Sequence, residues 1–241
     1  MMGLSGNNSA ATTGDPSFSS VVFLAGWEGS NGATTYNEEK NSRAGSFSGN
    51  AQITTAQFKF GASSLVLDGT GDEVTFTDNA DWTLSSGNSD QFTIEMFVRF
   101  NSTSSSFRGL IRQWGTIGNR SWALELTSAD TTNLTFTFST DGSASTTVAT
   151  ASAGLTTATW YAITVEKDAT GKIRIYVDGT MRGSSTPGNS AFFNSSSTLD
   201  IGVGTTTLLN GWLDEVRITK GVARYASDGG YTVRTTAFPR S

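Results

Sequence analysis

The sequence predicts an all-β protein made of many short antiparallel strands, on three observations. Apolar and polar residues alternate with period two, most clearly where Phe92, Ile94, Met96, Val98 and Phe100 interleave with Thr93, Glu95, Phe97 and Arg99. The composition agrees, because 36% hydrophobic and only 15% charged residues, with 27 Gly and abundant Ser and Thr, suit strands joined by polar turns rather than helices. Turn-forming Gly, Asn and Asp recur about every dozen residues. A chain of 241 residues is long enough for one β domain that buries about 70–75% of its unfolded surface.

Residues 1–19 are small and polar around Asp15-Pro16, too poor in apolar side chains to offset the entropy of ordering them alone. They are expected to form an extended arm, with a single domain over residues 20–241. Val21 to Trp27 is a continuous apolar run, as a strand covered on both faces requires. Beyond a polar loop from Asn37 to Arg43, Gln52–Thr55 and Phe58–Phe60 are weaker strand candidates. Ser64–Leu67 and Val74–Phe76 are predicted to pair as a hairpin around Asp68-Gly-Thr-Gly71, whose glycines accept positive φ, with Asp68 and Asp72 as turn formers. After the Phe92–Phe100 strand the alternation continues through Leu110–Trp114, Ser121–Leu126, Leu134–Ser139 and Thr146–Ala149. Trp160–Glu166 and Lys172–Val177 then flank the loop Lys167–Gly171. In the Ser/Asn-rich loop from Ser184 to Ser197, Phe192 and Phe193 are adjacent, so in an extended chain at most one of them enters the core.

The last strand starts at Asn210 and exits by Tyr225. Counting alternate positions puts Trp212, Asp214, Val216 and Ile218 on one face and Leu213, Glu215 and Arg217 on the other. A carboxylate among apolar residues is costly unless a cation or several donors satisfy it. No internal repeat or linker divides the chain.

Sixteen basic against 21 acidic side chains give a net charge of −5, which disfavours a grip on nucleic-acid phosphates. The absence of Cys removes disulfides and thiolate metal sites, and the absence of His removes the commonest general base and imidazole ligand. No window approaches a membrane span and the N-terminus lacks an export pattern, so no membrane partner is expected. There is no Gly-x-Ser-x-Gly elbow, Glu38-Glu39 falls in a loop, and Asp214-Glu215 are adjacent and face opposite ways, so the chain is not expected to be an enzyme.

Phe60–Gly69 with Asp72–Phe76, then Phe92–Val98, Trp160–Glu166, Ile173–Gly179, Leu199–Gly202 and Asn210–Tyr225 stand in the order of the laminin G-like, concanavalin A-type lectin/glucanase domains. The chain resembles that family across residues 20–225, most closely the versions found in bacteriophage virion proteins. The resemblance implies a concanavalin A-like jelly-roll β-sandwich of two antiparallel sheets. It implies a structural Ca²⁺ where the first and last strands meet, held by Asp214, the Gly61 carbonyl and Glu28; otherwise Asp214 accepts backbone N–H bonds or pairs with an Arg. It also implies a non-catalytic virion structural protein, made in the host cytoplasm and carried on the virion surface as a capsid decoration, fibre or tail component. Such a protein would form a homo-oligomer or multi-copy assembly, contact other virion proteins through residues 1–19, and present a lectin-like domain to host or environmental carbohydrate.

A soluble carbohydrate-binding lectin is the alternative, with a glycoside hydrolase third, for which a Glu-x-Asp-x-x-Glu carboxylate cluster is missing. A sugar site needs an aromatic platform with orienting polar groups, and Arg112, Trp114, Asn119, Arg120 and Trp122 around one turn supply both. Trp114 and Trp122 equally suit core packing, as do Trp82 and Phe107.

Overall fold

The computed structural model describes residues 14–101, 108–126, 133–150, 153–204 and 208–241. Residues 1–13 of the expected arm, and Phe107, lie outside the described residues. In chain order the strands are β1 (Val21–Ala25), β2 (Tyr36–Asn37), β3 (Ala44–Ser48), β4 (Gln52–Thr54), β5 (Ser64–Asp68), β6 (Glu73–Phe76), β7 (Phe92–Phe100) and β8 (Gly109–Trp114). They continue as β9 (Arg120–Leu126), β10 (Leu134–Phe138), β11 (Thr146–Ala149), β12 (Trp160–Lys167), β13 (Ile173–Val177), β14 (Thr180–Ser185), β15 (Leu199–Ile201) and β16 (Asn210–Lys220). Single 3-10 turns occur at Phe18–Ser20 and Ala80–Trp82.

The strands form two eight-stranded antiparallel sheets, as expected for the jelly-roll sandwich. The first runs β14-β13-β12-β7-β16-β5-β4 with β1 also on β16, and the second runs β11-β10-β9-β8-β15-β6-β3-β2. Between them lie the inward residues of each strand, including fully buried Phe23, Phe76, Trp82, Phe92, Trp122 and Phe136. Edge-on contact of Phe23 with Phe76 at 4.9 Å and stacking of Phe138 on Phe192 at 4.7 Å join the layers. Phe192 is thus the core member of its pair, and Phe193 is half-buried.

The alternation of β7 is as predicted, yet its outward residues Thr93, Glu95 and Phe97 are buried too. Residues 14–20 and the closing segment after β16 lie over the first sheet as a third layer. Phe238 packs with Val21, Leu24, Phe97 and Ala162, and the Arg217 guanidinium lies 3.9 Å from its ring centre. Ion pairs hold this layer down. Arg217 bonds Glu95 at 2.6 Å and Asp15 at 2.9 Å, and Arg224 bonds Asp15 at 2.8 Å. Glu166 accepts the backbone N–H of Tyr225 and Ala226 and the Tyr176 hydroxyl.

Four sequence expectations are corrected. β5 and β6 do not form a hairpin; the Asp68–Asp72 turn carries the chain from one sheet to the other, with Asp72 accepting the N–H groups of Asp68 and Asn50. A glycine-rich turn fixes the reversal, not whether the flanking strands bond each other. Phe58–Phe60 is loop, because its N–H groups are aimed at Asp214 rather than at a strand. Residues 14–19 are not all free arm, since the Asp15 side chain is 3% exposed between two arginines. Finally, β16 slips phase at a bulge where Glu215 is left-handed with φ 52°, so Leu213, Val216 and Ile218 face the core while Trp212, Asp214 and Arg217 face outward.

Candidate functional site at the β16 bulge

The bulge falls where β16 changes neighbour on one side, from β5 (Leu213 opposite Leu65) to β1 (Val216 opposite Ala25). Asp214 and Glu215 therefore have no ladder partner on that side, and the chain ends arriving there supply Glu28, just past β1, and the loop before β5. Asp214 is fully buried. Its Oδ2 accepts the N–H of Lys59 at 2.7 Å and of Phe60 at 3.0 Å, while its Oδ1 has no partner among the described residues. Burial pushes the Asp214 carboxyl up to about 7, against the pull of those two N–H bonds, and the negative charges of Glu215 and Glu28 add to the rise.

Glu28 accepts the N–H of Ala62 at 3.1 Å and the Ser63 hydroxyl at 3.4 Å. Its carboxylate is so close over Gly61 that a Cβ there would sit 1.6 Å from Oε1, and Gly61 has φ +65°, so only glycine fits. Left-handed non-glycine residues stand beside both carboxylates, Trp27 at φ 58° next to Glu28 and Glu215 at φ 52° next to Asp214. Such backbone costs about 1–3 kcal/mol per residue and persists where the surroundings impose it, commonly at ligand sites.

The expected metal residues Glu28, Gly61 and Asp214 are thus brought together at one gap. The orphaned, buried Asp214 oxygen and a backbone cradle fit a hard cation that takes carbonyl as well as carboxylate oxygens. Among the described residues no three Asp or Glu side chains converge on a metal position, so backbone oxygen would have to complete the shell. Glu215 itself looks the other way. It accepts Phe238 N–H and two bonds from Arg240, which also bonds Glu39, so the bulge anchors the end of the closing segment.

The structure does not assemble the five predicted sugar contacts into one surface. Trp122 is a core residue whose Nε1 donates to the Trp82 carbonyl at 2.8 Å. Trp114 is only 8% exposed with the Arg120 guanidinium 5.4 Å from its ring centre. Asn119 ties the turn to Ser195, Ser196 and Ser197, and Arg112 pairs with Asp200 at 3.0 Å. An alternating strand offers tryptophan both faces, and its pattern alone does not say which is the core side.

Two groupings went unread in the sequence because strand register creates them. Glu73 on β6 lies near Asp200 on β15, and its carboxyl is raised by burial and by that neighbour. Lys167 is fully buried, its ammonium donating to the carbonyls of Gly87, Asn88 and Asp90. Among the described residues no helix is long and apolar enough to cross a membrane.

No curated protein matches the chain. Solved structures share its fold. The receptor binding domain of botulinum neurotoxin C/D mosaic serotype is 13% identical with a TM-score of 0.63, over 86% of this chain and 49% of that one. The binding domain of Paraclostridial Mosquitocidal Protein 1 is 15% identical with a TM-score of 0.61, over 86% and 50%. The binding domain of botulinum neurotoxin DC in complex with SialylT is 15% identical with a TM-score of 0.60, over 86% and 49%. The chain spans about half the length of these structures. A laminin G-type family model, described as the concanavalin A-like lectin/glucanases superfamily, matches residues 68–225, and with the two-sheet sandwich found here the chain belongs to that superfamily.

Proposed function

We propose that the chain is a non-catalytic, lectin-like recognition domain carried on a bacteriophage particle as a capsid decoration, fibre or tail component. The observation that carries recognition over catalysis is what the buried carboxylates do. Asp15, Glu95, Glu166 and Glu215 are ion-paired or capped by N–H groups and serve to hold the third layer on the sheet. The shared fold with receptor-binding domains points the same way. The phage setting rests on the ordered sequence resemblance. Mass spectrometry of purified particles tests it: recovery at multiples of capsid symmetry is expected, and a chain found only in free lysate would favour the soluble lectin.

Calcium belongs to this reading as a structural ion held by Asp214, Glu28 and the Gly61 carbonyl. Melting curves with millimolar calcium are expected to lie above those with chelator, since a ligand that binds only the folded state stabilises it. Superimposable curves would remove the ion from the account.

One observation favours the hydrolase. Glu73 lies on the same sheet face as Asp200, which is opposite Thr75 on the neighbouring strand, so two carboxylates share that face, although Arg112 pairs with Asp200. Release of reducing ends from glucans by the wild type, lost in Glu73→Gln, would establish that reading instead.

A further inference from the structure

At one end of the first sheet the third layer thins out, with Trp160 at its margin packed against the Phe238 cluster, and among the described residues the outer face beyond it is only partly covered. Trp160 on β12 pairs with Arg99 on β7, and Arg99 pairs with Trp212 on β16, so the three stand in a row across adjacent strands. All three are half-buried, and the Arg99 guanidinium lies 4.9 Å from the Trp212 ring centre. Strands repeat at about 4.8 Å, which puts the Trp160 and Trp212 backbones about 10 Å apart.

Two residues along each strand, on the same face, runs a second row. Asn101 donates its side-chain amide to Asn210 at 3.0 Å, Asn210 is the strand partner of Asp68, and Asn50 donates its amide to Asp68 at 3.0 Å. Both side-chain bonds are exposed to solvent. On the opposite flank the next outward residues, Phe97 and Asp214, are covered by Phe60 and by the Lys59 and Phe60 backbone. Among the described residues the partly uncovered strip is therefore two rows deep, one aromatic and one amide and carboxylate.

We propose that this strip is the domain's glycan-binding face and that it takes a neutral oligosaccharide. The indoles offer apolar surface to the C–H faces of sugar rings, and the Asn–Asn–Asp–Asn row offers donors and acceptors to their hydroxyls, the combination a small-ligand site needs. The charge of Arg99 is offset by that of Asp68, so nothing in the strip selects an acidic sugar. Trp and Arg also anchor protein interfaces, but the core of such an interface is depleted in charged groups and desolvates its polar ones, whereas this row keeps its amides wet. Reaching both indoles requires a ligand longer than one sugar ring. This inference rests on the lectin-like reading above.

The test titrates the whole chain with neutral glucose-, galactose- and mannose-based oligosaccharides and with sialylated counterparts, read by calorimetry and indole fluorescence. A neutral oligosaccharide is expected to bind. Trp160→Ala and Trp212→Ala are each expected to weaken it by about tenfold or more, while Arg182→Ala on β14 leaves it unchanged. Because removing a half-buried indole can disturb the fold, Asn101→Ala, at an exposed position, serves as a second probe and is expected to weaken binding with an unaltered melting temperature. Binding that survives the Trp160→Ala/Trp212→Ala double variant would leave the domain a lectin but overturn this face. Preference for the sialylated ligands would overturn the neutral assignment, and no sugar binding by the wild type would remove the lectin-like reading as well.

Discussion

Asp214 shows how one side chain can be half satisfied by design of the backbone around it. Two N–H groups hold Oδ2, and Oδ1 is left without a partner among the described residues. Asp214→Asn keeps an oxygen for those N–H groups and removes the charge, so it is expected to abolish any calcium-dependent rise in melting temperature. Without metal it should be at least as stable as the wild type, because burying an unpaired charge is costly. Asp168 is the opposite case. Burial pushes its carboxyl up, but the Thr170 hydroxyl, Arg174 and the N–H groups of Thr170 and Lys172 outweigh this and hold it down to about 2. The folded value lies below the ordinary 3.8, so the stabilisation is complete above about pH 4 and is lost as pH falls towards 2. Denaturant titrations at stepped pH should find Asp168→Asn less stable than wild type at neutrality, with the gap closing below pH 4. The sequence singled out Asp214 by a shared face with Val216 and Ile218 that the bulge removes, its burial coming instead from the Lys59–Phe60 loop, and the pairing of Asp168 with Arg174 needed the β12–β13 register.

Among the elements, β16 decides most. It contacts β7 along its length and divides its other side between β5 and β1, and the bulge at that division points Asp214 and Glu215 at different partners. Glu215 then fastens the closing segment through Phe238 N–H and Arg240. Arg240→Ala is expected to cost about 1–2 kcal/mol, less than the loss of a fully buried pair because Arg240 is about a third exposed. Faster amide exchange at Phe238 with the sheet amides unchanged would locate the effect; unchanged exchange would show that the segment is held by packing alone. Period-two counting predicted Leu213 and Trp212 on opposite faces and then failed at Val216, because a left-handed Glu215 carries no sequence signal of the kind that a glycine gives.

For the molecule as a whole, the third layer turns a two-sheet sandwich into a structure whose two chain ends cooperate. Asp15 reaches from before β1 to Arg217 and Arg224, themselves joined to Glu95, so residues 202 and 209 positions apart share one buried network. Asp15→Ala leaves Arg217 and Arg224 with Glu95 as their remaining carboxylate, so it is expected to cost about 1.5–3 kcal/mol, seen as a fall in denaturant midpoint. A change within half a kcal/mol would mean that the segment rests on the surface without supporting it.

Period-two alternation, turn residues and the ordered set of strand pieces were enough to determine an all-β sandwich of this superfamily, and the absence of His and Cys determined which chemistries it lacks. Those signals are local, or additive along the chain. Which sheet β5 and β6 each join, where β16 slips phase, that Trp122 is core while Trp160 and Trp212 flank Arg99 on the outer face, and that Asp15 closes an ion network were decided only by the tertiary structure. Strand pairing joins residues far apart in sequence, and a pattern that fixes the two faces of a strand does not fix which neighbour each face meets.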